Sequence, residues 1–129
     1  MAEFSSNLYP STANNIDWTR SIIELYEKPH YRGRLLKIRK MANSTLSDYK
    51  NIIVQGKHFG DKVQSTKFLL PKNFVYTLYK DKDFKGSALS LKGTGSFEGI
   101  PDLEKYARRN NLKNISKKIS SSQFTKGTA

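Results

Sequence analysis

The stretches LYEKPHYRG at residues 25–33 and LYKDKDFKG at residues 78–86 read almost alike. Each runs Leu-Tyr, four polar-leaning residues, an aromatic, a basic residue and a glycine, and the second starts at 78 where the first starts at 25, an offset of 53. Self-similarity at a nearly fixed offset is the mark of a duplicated structural unit. Tyr26, Tyr31 and Gly33 map onto Tyr79, Phe84 and Gly86. Further along, Asp48 followed by Tyr49 maps onto Asp102 followed by Leu103, and Val63, Ser65 and Phe68 map onto Ile119, Ser121 and Phe124. The offset has grown to 56 by the last set (63 to 119), as small loop insertions would produce. Three successive landmarks in register identify two copies of a unit of about 50 residues.

Around these landmarks the hydrophobic pattern is that of short strands. SIIELYE (21–27) and FVYTLYK (74–80) alternate, with Ile23 and Leu25 matched by Tyr76 and Leu78. RLLKI (34–38) and SALSL (87–91) follow, and VQSTKFLL (63–70) and ISSSQF (119–124) close each half. Pro71-Lys72-Asn73 is the natural break between the halves. DLEKYARR (102–109) predicts a short helix capped by Asp102. GTGSFEG (93–99) lacks the Lys-Ser/Thr ending of a phosphate loop and reads as a long connection within the second half. Residues 1–19 are rich in Ser, Asn, Thr and Ala without an apolar period, and read as a flexible tail anchored at Tyr9 or Trp18.

A hairpin folded back over its own sheet needs a residue free to take positive φ, which Gly33 and Gly86 supply. Aromatics five residues apart can pack on either side of such a fold. One four-stranded unit cannot bury both of its faces, whereas two packed face to face share a core. The expected architecture is therefore an all-β sandwich spanning residues 20–125, with one motif over about 20–71 and a second over about 73–125.

A chain of 129 residues suits one domain. Its 23 Lys and Arg against 11 Asp and Glu give a net charge of +12. That balance favours polyanions such as nucleic acid, acidic lipid or acidic polysaccharide, against the plainer role of a solubilising surface. Without cysteine there is no disulfide framework, thiolate metal site or thiol nucleophile. The same absence, with no basic and apolar leader in MAEFSSNLYPST, favours a cytoplasmic setting. No apolar run approaches the roughly 18 residues of a membrane span. His30 and His58 have no acidic partner at a catalytic or metal-binding spacing and read as loop or surface residues. Neither G-x-S-x-G nor S-x-x-K occurs, and no enzyme is predicted. Tyr106 with Arg108 and Arg109, or Lys117 with Lys118, could stack on and neutralise nucleic acid, but they read better as solvated loop residues.

The duplicated aromatic–aromatic–glycine pattern, Tyr26-Tyr31-Gly33 and Tyr79-Phe84-Gly86, resembles the βγ-crystallin superfamily, in its single-domain microbial and spherulin-like form. The aspartate-led turns SDY (47–49) and PDL (101–103) fit the same pattern. So do the endings GDKVQS (60–65), preceded by Phe59, and SKKISS (116–121). The resemblance covers residues 20–124 and implies two Greek-key motifs in a β-sandwich. It also implies a paired calcium clamp, each ion taking a carboxylate or amide oxygen, a Ser/Thr hydroxyl and main-chain carbonyls that include one from the folded hairpin, as suits a hard cation with six to eight oxygen ligands.

Departures from that pattern fall on the ligand positions. The first loop keeps Asp61 but has Gly60 before it and Gln64 where a hydroxyl belongs. The second keeps Ser120 and Ser121 but places Ser116 and Lys117 at the acidic positions, and an ammonium at Lys117 would repel a cation. Asn114 is near, but a register that used it would take Ile119 off its strand. The resemblance thus implies one residual site from Asp61, Ser120 and a carbonyl of Glu27 or Lys80, and a second, built from Lys117 and Gln64, that has lost its ligands. The implied function is a monomeric, non-enzymatic structural or stress-related protein with degenerate, at most single-site, calcium binding. The alternative is a basic module for polyanions or cell-envelope material on the same scaffold, since some members of the superfamily act as toxins or inhibitors.

Overall fold

The computed structural model describes residues 16–40, 43–60, 62–112, 115 and 117–127. In β1 (Ile22–Lys28) the side chains of Ile23 and Leu25 are fully buried, and in β6 (Phe74–Asp81) the matching Tyr76 and Leu78 are too. That is the period of two expected for strands with one face on a core. β1 pairs antiparallel with β2 (Arg32–Ile38), placing Ile23 opposite Ile38 and Leu25 opposite Leu36. β6 pairs in the same way with β7 (Lys85–Lys92), placing Tyr76 opposite Leu91 and Leu78 opposite Leu89. Both hairpins shift register at the same point of the repeat, between Tyr26 and Lys28 and between Tyr79 and Asp81. Each bulge adds the twist that folds the hairpin tip back over its sheet.

Between the hairpins lie a 3-10 turn (Tyr49–Asn51) and a small two-stranded ribbon of β3 (Ile53–Val54) and β4 (Lys57–His58). β5 (Ser65–Leu69) then returns to β1, and Pro71–Asn73 forms the turn between halves, with Asn73 at φ 73°. The second half continues through β8 (Phe97–Ile100), α1 (Leu103–Arg109) and β9 (Ser121–Gly127). Asp48 and Asp102 cap equivalent turns: Asp48 accepts from the Lys50 amide, Asp102 from the amides of Glu104 and Lys105. Only the second turn continues as the predicted helix, which buries Leu103 and Ala107.

The two sheets run β2-β1-β5-β8 and β7-β6-β9. β8, from the second half, completes the first sheet, with Ile100 opposite Thr66. Leu46, from the first half, makes the reciprocal bridge to Ser122 on β9, each residue's amide donating to the other's carbonyl at 2.9 Å. This exchange is the Greek-key crossing of a two-sheet sandwich. It corrects the sequence reading of 93–99, whose last residues are in β8 and not in a connection. Glycine misled there for a packing reason: any side chain at Gly99 would collide with the Tyr31 hydroxyl of the folded first hairpin.

The core between the sheets is apolar, built on Ile23, Leu25, Ile38, Leu70, Tyr76, Leu78, Leu91, Ile115 and Ile119. Ile16 is buried in it, and Trp18 packs edge-on to Phe124 of β9 at 6.0 Å, so both residues at the edge of the compositional tail belong to the folded domain. Most of that tail, including Tyr9, falls outside the described residues. Among the described residues no helix is long and apolar enough to cross a membrane.

Candidate ion-binding loops

Both hairpin tips hold the same conformation, with His30 and Tyr31 at φ 60°, Asp83 at 58°, Phe84 at 61°, and Gly33 and Gly86 at 82° and 80°. Four non-glycine residues in the left-handed region carry strain that neighbouring contacts must offset. Part of the offset is aromatic: Tyr26 meets Tyr31 at 5.7 Å and Tyr79 meets Phe84 at 5.8 Å, both edge-to-face. The rest comes from one serine per half. Ser65 Oγ donates to the Lys28 carbonyl (2.6 Å) and accepts from the Tyr31 amide (3.0 Å). Ser121 Oγ donates to the Asp81 carbonyl (2.6 Å) and accepts from the Phe84 amide (2.9 Å).

The residue before each serine ties the halves together. The Gln64 amide donates to the Tyr26 carbonyl and its own carbonyl accepts from Leu103; the Ser120 amide donates to the Tyr79 carbonyl and its own carbonyl accepts from Tyr49. Gln64 and Ser120 therefore occupy equivalent places, each beside its own hairpin, and each is where the resemblance implies a hydroxyl ligand. What they do there differs.

On the Glu27 side, Gln64 Nε2 donates to the Glu27 carbonyl at 3.1 Å. The carbonyl implied as a calcium ligand already faces an N–H, and the side chain that would supply an oxygen supplies a donor instead. The Glu27 carboxylate is engaged elsewhere, its Oε2 accepting from Arg34 Nε (2.9 Å) and Nη2 (2.7 Å). Those hydrogen bonds, with the adjacent guanidinium charge, hold the Glu27 carboxyl below the usual carboxylate range. The donor set on this side does not fit a calcium ion.

On the Lys80 side lies an open groove of about 650 Å³, lined by Asp48, Lys50, Lys80, Asp81, Lys82, Lys117, Lys118 and Ser120. Ser120 and Lys80, two of the four implied metal residues, meet here. Glu27 is at the equivalent place in the other half, and Asp61 lies outside the described residues, as do Asn114 and Ser116. Ser120 Oγ donates to the Lys118 carbonyl at 3.1 Å. Oxygen donors are present on this side, but five ammonium-bearing side chains surround them. Among the described residues there is no cluster of three or more His, Cys, Asp and Glu that could hold a metal.

The histidines are apart and exposed. His30 lies in the first hairpin tip, and His58 sits on β4 with Nδ1 2.7 Å from the Lys50 carbonyl. Two structural features had no separate signal in the sequence. Arg34, on β2, makes five hydrogen bonds: besides those to Glu27, Nη1 donates to the carbonyls of Val54 (2.9 Å) and Lys57 (3.0 Å), and Nη2 to that of His58 (3.0 Å). Its guanidinium also stacks 5.7 Å from the Phe59 ring centre, pinning the β3–β4 ribbon to the first sheet. The second feature is a buried hydroxyl chain. Tyr76 Oη donates to the Ser44 carbonyl (2.7 Å), leaving it to accept from Ser122 Oγ (2.6 Å), which in turn accepts from Tyr49 Oη (2.6 Å).

No protein-family model and no curated protein matches the sequence. Solved structures do match it. A structure from work on the evolution of the eye-lens βγ-crystallin domain fold aligns at 20% identity and TM-score 0.58, over 83% of this chain and 86% of that one. Spherulin 3a from Physarum polycephalum aligns at 19% identity and TM-score 0.54, over 84% and 85%. The N-terminal domain of protein S aligns at 10% identity and TM-score 0.54, over 84% and 99%. The fold of this chain is that of the βγ-crystallin superfamily.

Proposed function

We propose that the protein is a non-enzymatic structural or stress-related βγ-crystallin-like domain whose calcium clamp has degenerated to at most one weak site, on the Ser120–Lys80 side. The observation that carries this reading is the hydrogen bond from Gln64 Nε2 to the Glu27 carbonyl. In that half a side-chain amide satisfies the carbonyl that an ion would otherwise bind, so the hairpin closes without a cation. The other half keeps a hydroxyl and, by the resemblance, Asp61 as a carboxylate donor, among lysines whose field opposes a cation. Each sheet buries its inner face within one chain, which supports a monomer.

A ligand that binds only the folded state raises its stability by RT ln(1 + [L]/Kd). A residual site half-saturated at millimolar calcium therefore raises the unfolding midpoint by only about 2 °C. Thermal unfolding with calcium and with a chelator measures this directly. Gln64→Ser combined with Lys117→Asp returns hydroxyl and carboxylate to the vacated positions and is expected to enlarge the calcium-dependent shift several-fold. Two strong, equivalent sites in the wild-type protein by calorimetry would overturn the reading.

One observation favours a second reading, a basic module for polyanions: the convergence of lysines on the groove beside Ser120.

A further inference from the structure

The lysines that oppose a cation beside Ser120 form a site for the opposite charge. Lys50 comes from the 3-10 turn, Lys80 and Lys82 from the end of β6 and the hairpin tip, and Lys117 and Lys118 from the loop before β9. Among the described residues two carboxylates line the groove against these five, Asp48 and Asp81, and Asp48 is already held by the Lys50 amide. None of the five ammonium groups forms an ion pair with a described residue. The three segments are fixed to one another by backbone hydrogen bonds, Tyr49 amide to Ser120 carbonyl (2.8 Å), Asp83 amide to Ser47 carbonyl (2.7 Å) and Ser120 amide to Tyr79 carbonyl (2.9 Å). The charge is thus mounted on a frame that does not have to assemble on binding.

The duplication supplies an internal control. At the repeat offsets, Lys80, Lys82, Lys50, Lys117 and Lys118 correspond in sequence to Glu27, Pro29, Glu104, Asp61 and Lys62. With Asp48 and Asp81 counted against Asp102 and Lys28, five lysines and two acids at one place stand against two lysines and four acids at the equivalent place. A general excess of basic residues would load both halves alike. The lysines have accumulated at one of two equivalent places, where their mutual repulsion disfavours the folded state unless a counter-charge is present. Lys117 adds a second cost, a non-glycine backbone at φ 63°.

We propose that this groove binds a compact anion carrying several phosphate groups, either free or as a lipid headgroup. Lysine ammoniums serve phosphate as separated point charges, and five of them distributed around one groove match a multiply charged anion better than a single carboxylate. Among the described residues no aromatic lines the groove, so they offer no stacking platform of the kind used for single-stranded nucleic acid. A volume of about 650 Å³ is in the range of small-ligand sites. The inference rests on the polyanion reading and not on the calcium one.

The test uses the full chain with inorganic triphosphate, against sulfate and chloride at matched ionic strength. Saturable binding of one triphosphate per chain and a raised unfolding midpoint are expected. The triple variant Lys80→Gln, Lys82→Gln, Lys118→Gln should weaken binding by about tenfold or more. Its own midpoint without ligand should stay level or rise, because repulsion is relieved. A control triple of equal charge loss, Lys57→Gln, Lys72→Gln, Lys105→Gln, uses lysines outside the groove and should bind within about twofold of wild type. Phosphoinositide-bearing vesicles separate the sources: retention lost in the groove triple identifies a headgroup, and triphosphate binding without retention identifies a soluble anion. Equal losses in both triples, or no saturable binding beyond that of sulfate, would overturn the site. Heparin retention indifferent to the groove triple would overturn it too, while leaving the general polyanion reading standing.

Discussion

At Ser65 and Ser121 a single hydroxyl both donates to a hairpin carbonyl and accepts from a hairpin amide. Removing it leaves two backbone groups without partners in a tip whose residues are already at positive φ. Ser121→Ala is expected to lower unfolding stability by about 2 kcal/mol, measured by urea titration, with Ser65→Ala similar. These serines were legible, because Ser65 and Ser121 recur in order with the other duplicated landmarks, at an offset of 56. Gln64 was legible only as a departure: the sequence showed a missing hydroxyl, but not that its amide would turn onto the Glu27 carbonyl. The lysine groove was not legible, since its members come from three segments that only the folded chain brings together.

Among the elements, the β3–β4 ribbon depends most on one side chain. Two pairs of residues make too short a ladder to hold alone, and Ile53 on it is 62% exposed. Arg34 holds it through three carbonyls while its other hydrogen bonds bind Glu27. Arg34→Ala should cost about 3 kcal/mol and free the ribbon amides to hydrogen exchange ahead of those in β1 and β6. Arg34→Lys should recover less than half, because a point charge cannot reproduce the planar fork. The long strands and the helix could be read from period and capping. The ribbon and β8 could not, being too short to show a period, and β8 also carries a glycine demanded by Tyr31 and not by a turn.

For the whole molecule, the sheets are joined by the core and by the hydroxyl chain from Tyr49 through Ser122 and Tyr76 to Ser44. Burial raises the phenol pKa of both tyrosines above the ordinary value of 10.0, and for Tyr76 the neighbouring Tyr49 adds to the effect. A raised folded-state pKa means that the neutral phenol is bound more tightly by the folded state. The contribution is complete below pH 10 and declines as pH rises through the folded values. Stability should therefore fall above about pH 10, with tyrosinate absorbance appearing together with loss of tertiary circular dichroism. Tyr49→Phe should move that alkaline transition upward. An early tyrosinate signal from these two residues in still-folded protein would contradict the burial argument. The two-sheet architecture was legible from the duplication alone. The exchange between sheets was not, because pairing partners are chosen by long-range packing and leave no local mark.

That exchange has a consequence for the chain as it is made. β5 has no outer neighbour until β8 has been synthesised, and Leu46 waits for Ser122. The first motif leaves the ribosome with an open sheet edge and an uncovered apolar face, a state in which a nascent strand can pair with the wrong neighbour. Lys67 on β5 sets a positive charge on that waiting edge, and a charge there blunts mispairing. Duplication thus fixes the order in which the protein becomes safe from aggregation: the second copy finishes the first.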